Sequence, residues 1–77
     1  MYKIIIKSSL DIKDGRFALA GEYQGNIPMG GDTLVDNMNN KYIFLSFCFK
    51  YPEMILVQPL NPKVNIKEVK ELRLAND

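Results

Sequence analysis

Few side chains in this sequence are of the types that carry out catalysis. Cys48 is the single cysteine and histidine is absent, so a thiol nucleophile would have no imidazole to activate it. Cys48 also lies in the apolar segment YIFLSFCF at residues 42–49, where a cysteine behaves as a small hydrophobic side chain. We therefore expect a structural thiol with no intramolecular disulfide.

Two pairs of aspartates are the remaining candidates for acid/base or metal chemistry. Asp11 is close in sequence to Asp14, and Asp32 is close to Asp36. Neither pair has the spacing of a calcium-binding loop, and aspartates in such segments are most often solvated residues of turns. We predict no catalytic residue, no metal site and no cofactor.

A glycine pair and a group of aromatic residues are candidates for binding. Gly30-Gly31 is interpreted as a plain turn, because no lysine or helix start follows to complete a phosphate site. The candidate interaction surface consists of Tyr42, Phe44 and Tyr51. Such a surface can stack on single-stranded nucleic acid, but an apolar outer sheet face more often contacts a second protein subunit.

The composition is typical of one soluble folded domain spanning residues 1–77. Hydrophobic residues make up 47% and charged residues 25%, with a net charge of +1. Non-specific binding to nucleic acid or to anionic membranes usually needs a larger positive charge. The opening MYKIIIKSSLDIKDG has too short an apolar run for a signal peptide or a membrane span. We expect a cytoplasmic protein.

The hydrophobic pattern predicts a β hairpin at the start of the chain. Tyr2, Ile4 and Ile6 alternate with mostly polar residues, and Leu10 with Ile12 continues the alternation, so the first strand is predicted to pass through a bulge. A turn at Asp14-Gly15 then leads into a strand that carries Phe17, Leu19 and Tyr23. Gly21 and Gly25 are predicted to serve shape, the first in a bend or a close backbone approach of the sheet and the second in a turn with positive φ.

The rest of the chain is predicted to be mainly strand. Further strands are expected over residues 32–35, 42–49 and 54–60. The asparagine-rich residues 36–40 predict a hairpin turn. Asn65 followed by Glu68 indicates a capping box and hence a helical turn over residues 66–70, after which Leu72 and Leu74 predict a closing strand.

The inward face of each strand predicts the core. If the hairpin at Gly15 sets the register, the core consists of Ile4, Ile6, Phe17, Leu19, Tyr23, Ile43, Leu45, Phe47, Ile55 and Val57. Tyr42, Phe44 and Cys48 would then lie on the outer face, since alternate residues of a strand point to opposite sides.

The segment IKDGRFALAGEYQGNIPMGGDTL at residues 12–34 resembles the β-barrel domain that follows the GTPase domain in elongation factor Tu and its relatives. The residues that match are Gly15, Arg16, Gly21, Gly25, Ile27, Gly31 and Asp32. The resemblance implies an all-β, six-stranded, closed Greek-key-like barrel. Phe17 replaces the family's usual second glycine, and no phosphate-binding loop of the GTPase type occurs, so GTP binding does not carry over.

These observations favour a non-catalytic binding module that engages a protein partner or associates with itself. One alternative is a barrel that binds RNA or single-stranded nucleic acid in translation, because the family barrel helps to hold the aminoacyl end of tRNA. A second alternative is an immunity-type protein that inhibits a toxin. The sequence does not predict an enzyme or a membrane protein.

Overall fold

The computed structural model describes residues 2–26, 28–48 and 54–75. Its elements are strands β1 (Tyr2–Lys13), β2 (Arg16–Gly25), β3 (Thr33–Asp36), β4 (Lys41–Cys48) and β5 (Met54–Pro59), a 3-10 turn (Ile66–Glu68) and strand β6 (Glu71–Leu74). The strands form one closed barrel in the order β1-β2-β5-β4-β3-β6. The predicted all-β, six-stranded closed barrel with one short helical turn near the C-terminus is therefore confirmed.

The two strands of the β1–β2 hairpin are longer than the other strands of the barrel. The hairpin turns at Asp14 and Gly15, where Lys13, Asp14 and Gly15 all have positive φ. The predicted bulge lies at Lys7, because Ile6 pairs with Gly21 while Ser8 pairs with Ala20. A bulge of this kind reverses which residues of a strand point inward.

Gly21 allows β1 and β2 to approach closely at this bulge. A Cβ atom at Gly21 would overlap the carbonyl oxygen of Ile5. The prediction that Gly21 serves shape through close backbone approach is confirmed, and Gly25 has the predicted positive φ, at 83°.

The barrel interior is filled by one cluster of apolar side chains. Its buried members are Tyr2, Ile4, Leu19, Leu34, Tyr42, Phe44, Ile55, Val57, Ile66, Val69 and Leu72. Ile6, Phe17 and Phe47 pack against this cluster while partly buried. The predicted core is thus correct for β1, β2 and β5 except at Tyr23, which is 36% exposed.

Strand β4 has the opposite orientation to the one predicted before its bulge, and the predicted orientation at Phe47 after it. Tyr42 and Phe44 are buried, while Ile43 and Leu45 are only half-buried. The register shifts between Phe44 and Ser46, so the bulge returns the next aromatic residue, Phe47, to the inner side. The Phe44 and Phe47 rings then meet edge to face, with centroids 5.1 Å apart. The prediction assumed strict alternation along residues 42–49 and therefore did not include this bulge.

The connection from β5 to β6 closes one end of the barrel. Asn65 caps the 3-10 turn by accepting a hydrogen bond from the Lys67 N–H at 3.2 Å. Ile66 and Val69 are buried there. The predicted helical turn is confirmed, but it ends at Glu68, and the predicted closing strand follows as β6.

Candidate interaction surface on the β1–β2 hairpin

The predicted interaction surface is wrong for two of its three residues. Tyr42 is 0% exposed and Phe44 is 2% exposed, so neither can contact a partner at the surface of this barrel. The β4 bulge explains the error, because it places these aromatic rings inside. Tyr51 lies outside the described residues, and so does the side chain of Cys48, whose predicted structural role stays a prediction.

The hydroxyl of Tyr42 instead completes a buried polar network around Asp36. Tyr42 donates to Asp36 Oδ2 at 2.7 Å. The N–H groups of Met38 and Asn40 donate to Asp36 Oδ1 at 2.8 and 2.9 Å. Asp36 is 1% exposed, so the expectation of a solvated turn acid is wrong, although the residue does shape the predicted turn.

Burial and hydrogen bonding oppose each other at this carboxylate. Burial raises the pKa of Asp36, but the hydrogen bonds from Tyr42, Asn40 and Met38 outweigh it and hold the pKa below its ordinary value. Burial, and then the bond to Asp36, raise the pKa of Tyr42. Both groups therefore keep fixed protonation states at neutral pH. We assign the network a structural role, because a stably ionised carboxylate and a neutral phenol hold the β3–β4 turn together.

The glycine turn and the other aspartates also have structural partners. Gly31 donates its N–H to the Phe44 carbonyl at 2.8 Å, so this amide is engaged within the barrel. Asp32 accepts from the Met29 N–H at 2.8 Å, and Asp11 accepts from the Lys13 N–H at 2.7 Å. Gly30 and Gly31 thus form the plain turn that was predicted.

The distal part of β1 is the described feature best suited to binding. Strand β1 pairs with β6 only from Lys3 to Ile5, and the Ile6 N–H donates to the Lys70 carbonyl at 2.9 Å. Among the described residues, only β2 pairs with residues 8–13. We call the side of residues 8–13 that faces away from β2 the free edge.

Exposed apolar side chains accompany the free edge. Leu10 is 57% and Ile12 is 38% exposed. Leu10 pairs with Ala18, which pairs in turn with Leu56, so these three side chains form a row on the outer face of the barrel. Ile12 is exposed next to this row, at a second register shift between Asp11 and Lys13. The bulge at Lys7 produces the row, because it turns Leu10 outward.

A cleft of about 380 Å³ lies on the inner side of the same hairpin. It is lined by Asp11, Gly15, Phe17, Gln58, Pro59, Leu60 and Pro62. Leu60 is 57% exposed at its rim. The distal hairpin therefore offers apolar contacts on both faces of its sheet.

Charge is distributed unevenly along the sequence. The described stretches 7–16 and 63–70 contain six basic side chains (Lys7, Lys13, Arg16, Lys63, Lys67, Lys70) and three acidic ones (Asp11, Asp14, Glu68), a local charge of +3. The whole chain carries only +1. These two stretches are therefore more positively charged than the chain as a whole.

Two further features are absent from the described residues. No group of three or more cysteine, aspartate or glutamate side chains in those residues is arranged to hold a metal ion. The same residues include no helix long and apolar enough to cross a membrane.

Comparisons with protein-family models, with curated proteins and with solved structures found no match to this chain. The resemblance of residues 12–34 to the elongation factor Tu barrel therefore stays a prediction. A closed six-stranded barrel is compatible with it but does not identify that family, because one fold serves many functions.

Proposed function

We propose that this protein is a non-catalytic binding module that engages a protein partner through the distal β1–β2 hairpin. One observation carries the proposal: Leu10 and Ile12 are exposed beside a strand edge that no described strand occupies. Soluble proteins usually cover or shorten such edges, because unpaired backbone groups next to apolar side chains recruit other chains. A partner protein would provide that cover.

Two further features support this location. Exposed apolar residues on a small soluble protein are typical of interaction sites, and the cleft that contains Phe17 and Leu60 lies on the other face of the same hairpin. The hairpin is held at its base, where β1 lies between β2 and β6. The surface is therefore presented on a preformed scaffold, which reduces the entropy lost on binding.

Site-specific photo-crosslinking in cells tests the proposal. Benzoylphenylalanine is placed at position 10 and, as a matched control, at Met29, which is 75% exposed and follows the far end of β2. We expect one discrete protein adduct from position 10 that untagged wild-type protein competes away and an Ile12→Glu variant does not. Equal adducts from both positions, or none from position 10, would contradict the proposal.

The remaining functional hypotheses stay predictions. The nucleic-acid alternative relied on Tyr42, Phe44 and Tyr51 as stacking residues; Tyr42 and Phe44 are buried, and Tyr51 lies outside the described residues. Self-association gives its own result in the crosslinking experiment, since the adduct would then be a dimer of this chain. The toxin-immunity role and the cytoplasmic location are likewise still to be tested.

A further inference from the structure

The free edge has the geometry of a vacant place for one more strand. Residues 8–11 pair continuously with β2 on one side, and the register shifts between Asp11 and Lys13 at the hairpin turn. In a strand, successive N–H and C=O groups point alternately to the two neighbours. Some backbone groups of residues 8–12 therefore point away from β2, where a short extended peptide can accept and donate hydrogen bonds.

The partner strand would have apolar surface to cover. Its outward side chains would extend the outer-face row of Leu56, Ala18 and Leu10. Its inward side chains would approach Asp11 and the cleft with Phe17 and Leu60. Both rows of an added strand therefore find contacts. Apolar or β-branched residues suit the outer row, because cross-strand apolar pairs stabilise sheets.

Basic side chains lie near both ends of the free edge. Lys7 is exposed at the bulge, and Lys70 is exposed beside it, with its carbonyl 2.9 Å from the Ile6 N–H. Lys13 and Arg16 lie at the hairpin turn, although Arg16 is 3.7 Å from Asp14. A strand with acidic residues at its two ends would complement this pattern, and complementary charges favour both the rate of association and specificity.

The same charges oppose pairing with a second copy of this chain. In a symmetric antiparallel pair centred on Leu10, Lys7 of one copy would lie opposite Lys13 of the other. A pair centred on Asp11 would place two Asp11 side chains together. Like charges directly opposite each other destabilise a sheet, and lysines on an edge commonly prevent self-pairing.

We infer that the free edge binds an extended acidic segment of a partner protein, which adds to β1 as a further strand. The segment has alternating β-branched residues at its centre and glutamate or aspartate at its ends. This inference rests on the proposed function and specifies the partner's chemistry.

A synthetic peptide tests the inference directly. The probe is acetyl-Glu-Glu-Val-Thr-Val-Thr-Val-Glu-Glu-amide, titrated into the full chain while amide chemical shifts and hydrogen exchange are followed by NMR. We expect protection from exchange at residues 8–12. Two control peptides are methylated on alternate backbone nitrogens, one peptide on the odd-numbered and the other on the even-numbered positions. Methylation removes the N–H donors of one strand edge and keeps the side chains and the charge. We expect at least one of the two methylated peptides to lose binding.

Three results would overturn the inference. They are the absence of saturable peptide binding, peptide binding that changes amides elsewhere than at the free edge, and undiminished binding by both methylated peptides. A uridine oligonucleotide serves as the nucleic-acid probe. If this oligonucleotide protects the amides of the free edge from exchange more strongly than the peptide does, the ligand of the free edge is RNA and the inference is wrong.

Charge-reversed variants distinguish binding at the free edge from non-specific electrostatic binding of the acidic peptide. Lys7→Glu and Lys70→Glu change exposed side chains near the edge, and Arg73→Glu changes an exposed side chain on β6 as a control. We expect the double variant Lys7→Glu/Lys70→Glu to bind the peptide at least about tenfold more weakly, and Arg73→Glu to bind nearly as wild type. Equal loss in both proteins would contradict a role for these lysines.

The peptide and crosslinking experiments can contradict the two proposals independently of each other. An adduct at position 10 without acidic-peptide binding would support the proposed function and overturn the strand-addition inference. Peptide binding at the free edge without any cellular adduct would support strand addition and contradict the proposed function.

Discussion

The two halves of strand β1 have similar alternating sequences and opposite environments. In residues 2–6, Tyr2 is 1% and Ile4 is 0% exposed. In residues 8–13, Leu10 is 57% and Ile12 is 38% exposed. The first half lies between β2 and β6, whereas the second half has a described neighbour only in β2.

This difference shows that alternation specifies a strand without specifying which face is buried. The bulge at Lys7 exchanges the two faces of β1, and β6 ends its pairing near Ile6 because the chain before it forms the 3-10 turn Ile66–Glu68. The distal residues therefore retain β structure through β2 but lose the cover of the barrel. A strand can be structural at one end and available for binding at the other.

The largest effect on stability is expected when an aromatic side chain inside the barrel is truncated. Phe44→Ala should lower the free energy of unfolding by about 3 to 5 kcal/mol, because it leaves a cavity beside Phe47. Leu45→Ala, at the half-buried neighbouring position, should cost clearly less. Urea unfolding followed by circular dichroism measures both. A larger loss for Leu45→Ala would restore the orientation of β4 that the sequence predicted.

A substitution at Gly21 tests the junction between the two halves of β1. Gly21→Ala should destabilise the protein by about 1 to 3 kcal/mol, because the new methyl group would overlap the Ile5 carbonyl and force the strands apart. Thermal unfolding measures the effect, with Ala20→Gly as a neighbouring control. An unchanged melting temperature would mean that β1 and β2 do not approach closely here.

Two aspartate substitutions compare the turns of the two regions. Asp36→Asn should cost about 1 to 3 kcal/mol at neutral pH, because it removes a buried carboxylate that accepts several hydrogen bonds. Asp11→Asn, at an exposed turn acceptor, should cost less. Chemical denaturation at pH 7 measures both. Equal costs would show that burial adds nothing to the Asp36 network.

The Asp36 network also predicts a pH dependence. Because the folded-state pKa of Asp36 lies below its ordinary value of 3.8, its contribution is present above that value and is lost as pH falls through the folded pKa. Wild-type stability should therefore decline in acid, and Asp36→Asn should flatten that decline. Parallel pH profiles for the two proteins would contradict the shifted pKa.

The smallest change in stability is expected at the free edge. Leu10→Ser and Ile12→Ser should each alter the free energy of unfolding by less than about 0.5 kcal/mol, because exposed substitutions rarely do more. The same variants should weaken crosslinking to the partner when benzoylphenylalanine is placed at Ser9, another exposed residue of the hairpin. A loss of several kcal/mol would show that Leu10 and Ile12 belong to a packed core.

Much of the fold followed from local chemistry. Asp14-Gly15 placed the first turn, Gly21 indicated close backbone approach, and the Asn65 cap located the 3-10 turn. The candidate surface did not follow, because two bulges decided it. The bulge after Phe44 placed Tyr42 and Phe44 inside, and the bulge at Lys7 placed Leu10 outside.

The sequence by itself determined the strands and turns of this protein, since alternation, β-branched residues and glycine conformations act over a few neighbouring residues. Tertiary structure decided which side chains are available for binding. A one-residue shift in pairing exchanges the faces of a strand, and a strand edge is free only where its neighbour ends. Both conditions depend on residues distant in sequence, as the meeting of Ile6 with Lys70 illustrates.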